Sequence, residues 1–299
     1  MSEYHQPVML KECLEGLNIN PAGVYVDVTF GGGGHSAAIL KQIKKGKLVA
    51  FDQDADAAAN ILKDKRFVFA QHNFRYLSNF LKYHQVEKID GLLADLGVSS
   101  HHFNAKERGF SFRFDAELDM RMNQSAQKSA KDVLNTYSAE KLGEVFKQYG
   151  EIKNGRHFAN IIVSARVNKK LRTIGDLLAV LEGSVPKKNE NQFLAKIFQA
   201  IRIEVNEEME ALKEMLTQTV EFLAPGGRLV VMSYHSLEDR LVTNFFKSGS
   251  FDKEPEKDLF GRVDKVFKII NSKVIVPSEE EIKENNRARS AKLRIAEKL

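Results

Sequence analysis

Three aspartates and a run of four glycines are the residues of this sequence whose types and spacing suggest chemistry. The glycines occupy positions 31–34, directly after an apolar run that contains Asp27, and Asp52 and Asp95 each end a further apolar run. Glycine lets a ligand approach the backbone closely and permits positive φ values. Four in succession exceed what a tight turn needs, because each adds entropy to the unfolded chain. We therefore interpret the run as a cofactor loop.

The acidic residues around this loop bear on the identity of the cofactor. Gly31 and Gly33 fit the dinucleotide fingerprint Gly-x-Gly-x-x-Gly, but its last position is Ser36, where alanine would also be tolerated. A carboxylate at Asp27 could hold the cationic amino-acid part of S-adenosylmethionine, or orient the loop around it, and would offer nothing to a pyrophosphate. Asp52 could accept hydrogen bonds from both ribose hydroxyls, which serves NAD and S-adenosylmethionine alike. We favour S-adenosylmethionine and keep an NAD-dependent oxidoreductase as an alternative.

The elements that must position these residues alternate between strands and helices. The patterns predict strands at 24–30, 47–51, 67–71 and 89–94, and helices at 8–17, 35–43, 54–63 and 76–83. This alternation is typical of a doubly wound, mostly parallel α/β sheet of the Rossmann-like type. Ligands bind such sheets at the carboxyl ends of the strands, where the glycine run, Asp52 and Asp95 are expected. A lone aspartate at a strand end is often only a cap, so the three together carry the argument.

The alternation stops after residue 107. Residues 108–206 show helical patterns at 138–149, 155–167, 174–181 and 192–203, and we interpret them as an inserted helical domain for RNA recognition. Residues 207–299 complete the S-adenosylmethionine-binding core that residues 1–107 begin. Here the patterns predict a helix through 204–223, a strand at 228–233, a helix at 237–246, extended runs within 263–276 and a basic, extended tail at 286–297.

Composition narrows the class of protein. The chain has 299 residues, 43% hydrophobic and 28% charged, and it carries neither a membrane-length apolar segment nor an apolar signal core, so we expect a cytoplasmic protein. A single cysteine, Cys13, excludes internal disulfides and a cysteine-built zinc site. No metal-binding constellation is visible. The formal charge of +5 is compatible with nucleic acid binding without demonstrating it.

The basic residues are concentrated in two places. A stretch without any acidic residue contains Lys153, Arg156, Arg166, Lys169, Lys170 and Arg172. A second group, near the C-terminus, contains Arg287, Arg289, Lys292 and Arg294. A solvated helix face is the usual explanation of such a run. In a domain inserted beside an active site, contacts with phosphates explain it better.

Ten segments, in order from end to end of the chain, form a specific pattern. They cover 5–8 with Glu12, 27–36, 51–54, 90–100, 107–112, 118–122, 198–206, 223–229, 233–240 and 286–294. They include Asp27-Val-Thr-Phe-Gly-Gly-Gly-Gly-His-Ser36 and Ser233-Tyr-His-Ser-Leu-Glu-Asp-Arg240. Together they closely resemble the bacterial ribosomal RNA small-subunit methyltransferase H (MraW) family, which methylates N4 of a cytidine in the decoding region of 16S ribosomal RNA. The resemblance implies a class I methyltransferase fold, S-adenosylmethionine as cofactor and 16S ribosomal RNA, within the small subunit, as partner.

The resemblance also implies a set of cofactor contacts. They are Gly33, Gly34, His35, Asp52, Phe74, Asp95 and His102, the last standing where other members often have glutamine. Cytosine N4 is a poor nucleophile because its lone pair is delocalised, so an enzyme must orient the amine and accept its proton. Asp95 is our candidate for that role, with Ser99 in the turn after it. A role of Asp95 in cofactor binding alone stays open.

The substrate base needs an aromatic partner, for which Phe110, Phe112 and Tyr234 are candidates. Either phenylalanine could instead pack a domain interface, and His235 could touch the substrate or simply bond its own loop.

Cys13 lacks a preceding proline, which argues against C5 methylation by a cysteine nucleophile. A DNA amino-methyltransferase and a non-catalytic RNA-binding assembly factor stay open as functions. The sequence allows a homodimer without determining the oligomeric state.

Overall fold

Two compact units make up the chain in the computed structural model, which describes residues 7–251 and 265–299. The first unit comprises the described residues up to Gly97 and those from Met209 onwards, and the second comprises Val98–Glu208. The predicted insertion at 108–206 falls within the second unit. That unit begins earlier because the chain leaves the sheet after Asp95 and enters a short helix almost at once.

A seven-stranded sheet forms the centre of the described part of the first unit. The strands are β1 (Val24–Asp27), β2 (Lys47–Phe51), β3 (Phe67–Ala70), β4 (Ile89–Asp95), β5 (Leu223–Ser233), β6 (Phe267–Ile269) and β7 (Lys292–Lys298). Their order is β3-β2-β1-β4-β5-β7-β6; β1 to β5 pair in parallel, and β7 runs antiparallel to β5 and β6. The predicted doubly wound, mostly parallel sheet is thereby confirmed.

The helices follow the chain in three groups. The first unit starts with α1 (Leu10–Leu17), α2 (Gly34–Gln42) and α3 (Leu77–Tyr83). Next come α4 (Ser100–Asn104), α5 (Ala130–Thr136), α6 (Ala139–Tyr149), α7 (Gly155–Asn168), α8 (Ile174–Leu181) and α9 (Glu190–Asn206). The chain then continues with α10 (Glu208–Phe222), α11 (Ser236–Ser248) and α12 (Glu279–Glu284). None of these helices, within the residues described, combines the length and apolar composition needed to cross a lipid bilayer.

The core lies on both faces of the parallel strands. Leu92, Leu93 and Ala94 of β4 are all fully buried, which agrees with the rule that covered parallel strands read as continuous apolar runs. On one face α1 packs against the sheet through Cys13 and Leu17. The strands are therefore anchored at their centres, and their carboxyl ends are left to carry functional side chains.

Several predicted elements differ from the structure in extent. The alanine-rich segment predicted as a helix at 54–63 is a six-residue 3₁₀ turn, Ala55–Asn60, which Asp54 caps at its start by accepting from the Asp56 amide. The helix predicted through 204–223 is interrupted at Glu207, whose φ of 51° is left-handed, and α10 starts at Glu208. Helices α4 and α5 were not predicted.

The C-terminal region differs most from its prediction. The basic segment expected as an extended tail forms a 3₁₀ turn, Asn286–Ser290, followed by β7, which lies between β5 and β6 inside the sheet. The backbone donors and acceptors of β7 pair on both sides, so it is an integral strand rather than a free tail. The first predicted extended run in 263–276 begins outside the described residues, and β6 accounts for three residues of the rest.

Candidate active site

Three carboxylates meet at one edge of the sheet. In the strand register Asp27 pairs with Leu93 and Asp95 with Met232, while Phe51, the residue before Asp52, pairs with Ala70. The carboxyl ends of the parallel strands are therefore nearly level. The structure thus brings Asp27, Asp52 and Asp95 to the same edge, as the alternation of strands and helices indicated.

Asp27 braces the loop that follows it. Its side chain is buried, with Oδ2 accepting from the Ser36 hydroxyl at 2.6 Å and Oδ1 accepting from the Thr29 amide at 3.1 Å. Burial raises the pKa of Asp27, against the opposing influence of the nearby His35 and these hydrogen bonds. Between the two roles that the sequence allowed, these contacts favour the one in which Asp27 orients the loop.

The glycine loop depends on its lack of side chains at three positions. Gly31 and Gly33 have φ values of +49° and +77°, a region that other residues rarely adopt. At Gly34 a Cβ would lie 2.4 Å from Cγ of Pro7, so the N-terminal segment can only cover the loop if this position is glycine. The Gly31 amide donates to Oδ2 of Asp52 at 2.8 Å, which links the loop to the end of β2.

Asp52 and Phe74, two of the predicted cofactor contacts, follow the neighbouring strands β2 and β3. Besides the Gly31 amide on Oδ2, Asp52 binds the Asp54 amide, which donates to Oδ1 at 2.9 Å. Partly buried Phe74 begins a 3₁₀ turn after β3. The side-chain amide of Asn73, the residue before it, donates to Oε1 of Gln53 at 2.9 Å. That bond ties the turn to the residue after Asp52. A carboxylate suits ribose hydroxyls and an aromatic ring suits a base, and the contact of Asp52 and Phe74 with a cofactor stays a prediction.

Asp95 is held on three sides but stays accessible. Its Oδ1 accepts from the Tyr234 hydroxyl at 2.8 Å, its amide donates to the Thr29 hydroxyl at 2.7 Å, and its Oδ2 lies 3.9 Å from Nδ1 of His35. Burial, helped by the charges of Asp27 and Glu238, raises its pKa to about 6, while His35 and the Tyr234 hydrogen bond act in the opposite direction. Because 23% of the side chain is exposed, a substrate amine could reach it.

A buried glutamate fixes the turn after β5. Oε2 of Glu238, which is 2% exposed, accepts from the backbone amides of Tyr234 at 2.9 Å and His235 at 3.3 Å. Nδ1 of His235 accepts in return from the Glu238 amide at 3.3 Å, and its Nε2 lies 3.1 Å from Oε1, a contact without hydrogen-bond geometry. His235 therefore bonds its own loop, which was one of its two predicted roles. With its hydroxyl bound to Asp95, Tyr234 is placed to orient that carboxylate.

Four more predicted site residues lie near the start of the second unit. Ser99 caps α4, and its hydroxyl lies 2.9 Å from Nδ1 of His102, which also accepts from the Ser99 amide at 3.2 Å. The rings of His102 and Phe110 have centroids 4.8 Å apart, and Phe110 is buried. Phe112 packs edge-on against Phe198 at 5.3 Å. Within this unit these side chains have packing and capping roles, and their contact with cofactor or base stays a prediction.

The basic stretch of the insertion divides into bound and exposed side chains. The guanidinium of Arg166 donates to the carbonyls of Leu134 and Tyr137, both at 2.6 Å, and so satisfies the end of α5. Arg156 pairs with Glu140, and Nζ of Lys169 bonds Oδ1 of Asp176 at 2.6 Å. Lys153, Lys170 and Arg172 are exposed.

The C-terminal basic group divides in the same way. Arg294 and Lys292 both bind Asp239 of α11, with distances of 2.6 Å from Nε and 3.2 Å from Nζ to the carboxylate oxygens. These contacts hold β7 against α11. Arg287 and Arg289 are exposed on the preceding 3₁₀ turn. The tertiary fold thus gives Lys292 and Arg294 a structural role.

Three residues that matter to this site were missed in the sequence. Thr29 and Ser36 bind Asp95 and Asp27 and lie within the glycine motif itself. Glu238 follows His235 by three residues, the spacing of a capping box, so a cap at the start of α11 could have been predicted. The bond from Thr29 to Asp95 could not, because it joins positions 66 apart in the chain.

The sheet order, the glycine loop after β1 and the carboxylates at the ends of β1, β2 and β4 define a Rossmann-like methyltransferase. The chain belongs to the MraW methylase family, whose sequence profile matches residues 2–299.

Proteins similar to this chain include two named ribosomal RNA small subunit methyltransferase H. The one from Parabacteroides distasonis is 59% identical, with 99% of this chain and 98% of that protein covered. The one from Bacteroides thetaiotaomicron is 57% identical, with 99% and 97% covered. Among solved structures, an rRNA methylase from Streptococcus thermophilus aligns with a TM-score of 0.42 at 13% identity, covering 97% of this chain and 93% of the other.

Proposed function

We propose that this methyltransferase transfers a methyl group from S-adenosylmethionine to N4 of a cytidine in the decoding region of 16S ribosomal RNA. The single observation that carries the chemistry is the carboxylate of Asp95, oriented by Tyr234 and facing His35 at the carboxyl end of β4. The choice of ribosomal RNA is supported by the names of relatives that match this chain over nearly their whole length. A ribosomal substrate also implies an enzyme that works in the cytoplasm.

The cofactor side of the site would be formed by the first unit. Asp52 would accept from ribose hydroxyls, Phe74 would lie against the base, and the backbone of Gly33, Gly34 and His35 would line the loop. When bound, S-adenosylmethionine supplies an electrophilic methyl group on a positively charged sulfur. Asp27 takes part indirectly, by holding the loop through Ser36.

The amine side of the reaction would depend on Asp95. A carboxylate oxygen that accepts a hydrogen bond from N4 turns the amine's lone pair out of conjugation with the ring and can take its proton. Tyr234 and the Thr29 hydroxyl hold the Asp95 side chain and backbone, so the carboxylate needs no rearrangement to receive the amine. A pKa of about 6 leaves this group ionised at neutral pH and close to the working pH, as a general base requires.

RNA recognition is the role we propose for the insertion. Lys153, Lys170 and Arg172 are exposed basic side chains of the second unit, and Lys169 keeps most of its side chain in solvent, 78%, while it pairs with Asp176. Such groups suit phosphates, whose contacts supply most of the affinity for RNA. An assembled small subunit as the substrate agrees with a target inside the decoding region.

Nucleoside analysis of a deletion strain tests the function. Ribosomal RNA from the strain should lack one N4-methylcytidine, and plasmid-borne wild-type protein should restore it, whereas the Asp95→Asn variant should not. Loss of N4-methylcytidine from DNA alone would assign the enzyme to DNA. If the nucleosides of RNA and DNA were both unchanged, and the protein transferred no methyl group to isolated subunits in a single-turnover assay, it would be a non-catalytic assembly factor.

A further inference from the structure

The first described residues of the chain cover the glycine loop. Pro7, Val8 and Met9, here called the N-terminal strap, lie between the loop and α1. Pro7 occupies the space beside Gly34, where a Cβ would clash with its ring. Met9 is buried, 1% exposed, and has a left-handed backbone with φ 50° and ψ 40°. A non-glycine residue keeps such a conformation only where its surroundings hold it.

Glu281, near the other end of the chain, provides one such hold. Its Oε1 accepts from the backbone amide of Met9 at 2.7 Å, a contact between residues 272 positions apart. Met9 is the cap of α1, so the carboxylate also lies at the positive end of that helix dipole. The strap is therefore anchored by α12.

The strap in turn contacts one ring nitrogen of His35. The Val8 carbonyl lies 3.1 Å from Nε2 of His35. A carbonyl oxygen can only accept, so Nε2 must carry a proton. In the neutral ring the lone pair is then on Nδ1, and in the charged ring, the form that lowers the pKa of Asp95, Nδ1 carries a proton as well. Nδ1 is the atom that faces Oδ2 of Asp95, at 3.9 Å. The tautomer of His35 thus decides whether Asp95 faces a lone pair or an N–H group.

We propose that Glu281 is a positioning residue of the active site, which acts through the backbone of Met9 and Val8 on the tautomer of His35 and so on the side that His35 presents to Asp95. The proposal deepens the proposed function, on which it rests only in taking Asp95 as the group that receives the amine. Glu281 touches neither cofactor nor substrate in this role. Its influence is carried by three successive contacts in one unit: carboxylate to amide, carbonyl to imidazole, and imidazole to carboxylate.

Nitrogen-15 spectra of histidine-labelled protein without cofactor or RNA test the tautomer. The His35 signals are identified by their loss in His35→Gln. The parent, Glu281→Gln, whose amide oxygen can still accept, and the control Glu280→Ala, an exposed neighbour on α12, should all show His35 protonated on Nε2. Glu281→Ala should show a mixture of both tautomers. A His35 spectrum in folded Glu281→Ala that equals the parent's would overturn the proposal.

A double-mutant cycle tests the functional consequence. Glu281→Ala should lower kcat about tenfold with little change in KM, and in the His35→Gln background it should lower kcat no further, because residues in one chain of contacts are not additive. Equal losses in both backgrounds would mean that Glu281 acts only on general stability, and the proposal would be wrong. The nitrogen-15 spectra need no substrate, so they test the tautomer of His35 even if the RNA target is assigned wrongly.

Discussion

The phenol of Tyr234 donates a 2.8 Å hydrogen bond to Oδ1 of Asp95 and so joins the turn after β5 to the carboxylate at the end of its parallel neighbour β4. A hydrogen bond to the charged form of an acid favours that form. It therefore counteracts burial, which raises the pKa of Asp95. The turn that carries Tyr234 is fixed in its own right by the buried Glu238. The site thus holds an accessible carboxylate that is oriented without being neutralised.

Replacing Asp95 by asparagine should lower kcat by about a hundredfold or more, the usual contribution of a general base. In the parent, the base is active only when ionised, and its pKa is raised to about 6. The parent's kcat should therefore be constant above that pH and fall below it, and the variant should lose this acid limb. Stopped-time methylation assays from pH 5 to 8, run at about unit intervals, measure both. A variant with unchanged kcat but weakened cofactor binding would show that Asp95 serves the cofactor alone.

Replacing Tyr234 by phenylalanine should move the acid limb to higher pH. In the parent, the hydrogen bond from Tyr234 lowers the pKa of Asp95. Its loss in the variant therefore raises that pKa, and the carboxylate is protonated over a wider pH range. The exposed Tyr83, changed in the same way, is the matched control. If Tyr234 served instead to stack on the base, its phenylalanine variant would keep the parent's pH profile, since the ring is retained.

Replacing Asp52 by alanine should weaken S-adenosylmethionine binding about tenfold to a hundredfold, the effect of losing one or two hydrogen bonds to a charged group. Part of the loss would come from the loop, because the Gly31 amide also loses its acceptor. Asp52→Asn keeps one acceptor oxygen and should lie between the alanine variant and the parent. Calorimetric titration measures the affinity, and an unchanged Kd in Asp52→Ala would place the cofactor elsewhere.

Reversing the charge of Lys170 should weaken RNA binding and reduce the slope of log affinity against log salt by about one or more. Lys170 is a better probe than Lys169, because Lys169 also bonds Asp176, which caps α8. Lys63→Glu, an exposed lysine of the first unit, makes the same change of charge as a control. If Lys170→Glu and the parent had equal salt slopes while cofactor binding stayed intact, Lys170 would not contact an RNA phosphate as proposed.

Replacing Arg166 by alanine should reduce stability by about 1–3 kcal/mol, because two carbonyls at the end of α5 lose a charged donor. Urea unfolding followed by circular dichroism measures the change. RNA affinity of the folded variant should stay near the parent's, since the guanidinium is committed to those carbonyls. A stable Arg166→Ala protein with a reduced salt slope would show the opposite, that this arginine contacts phosphate.

The elements around the site could be predicted where a local pattern is sufficient. The runs ending at Asp52 and Asp95 are nearly continuous in apolar residues, as strands covered on both faces require, and their strands begin and end within a residue of prediction. The segment after Asp54 was mispredicted because its alanines favour helix in general, whereas here the chain leaves the turn again at Ile61.

The sequence by itself determined the alternating fold, the glycine loop and the placing of three carboxylates at strand ends, because each follows from residue types that are adjacent in the chain. Only the tertiary structure decided which groups these carboxylates face. Tyr234 reaches Asp95 across 139 positions, and Asp239 binds the basic residues of β7 across more than fifty. The residues of a basic run look alike in the sequence. In the folded protein, some of them bind carbonyls and carboxylates that are distant in the chain, and others are exposed. Such pairings depend on the packing of whole elements, which local propensity does not encode.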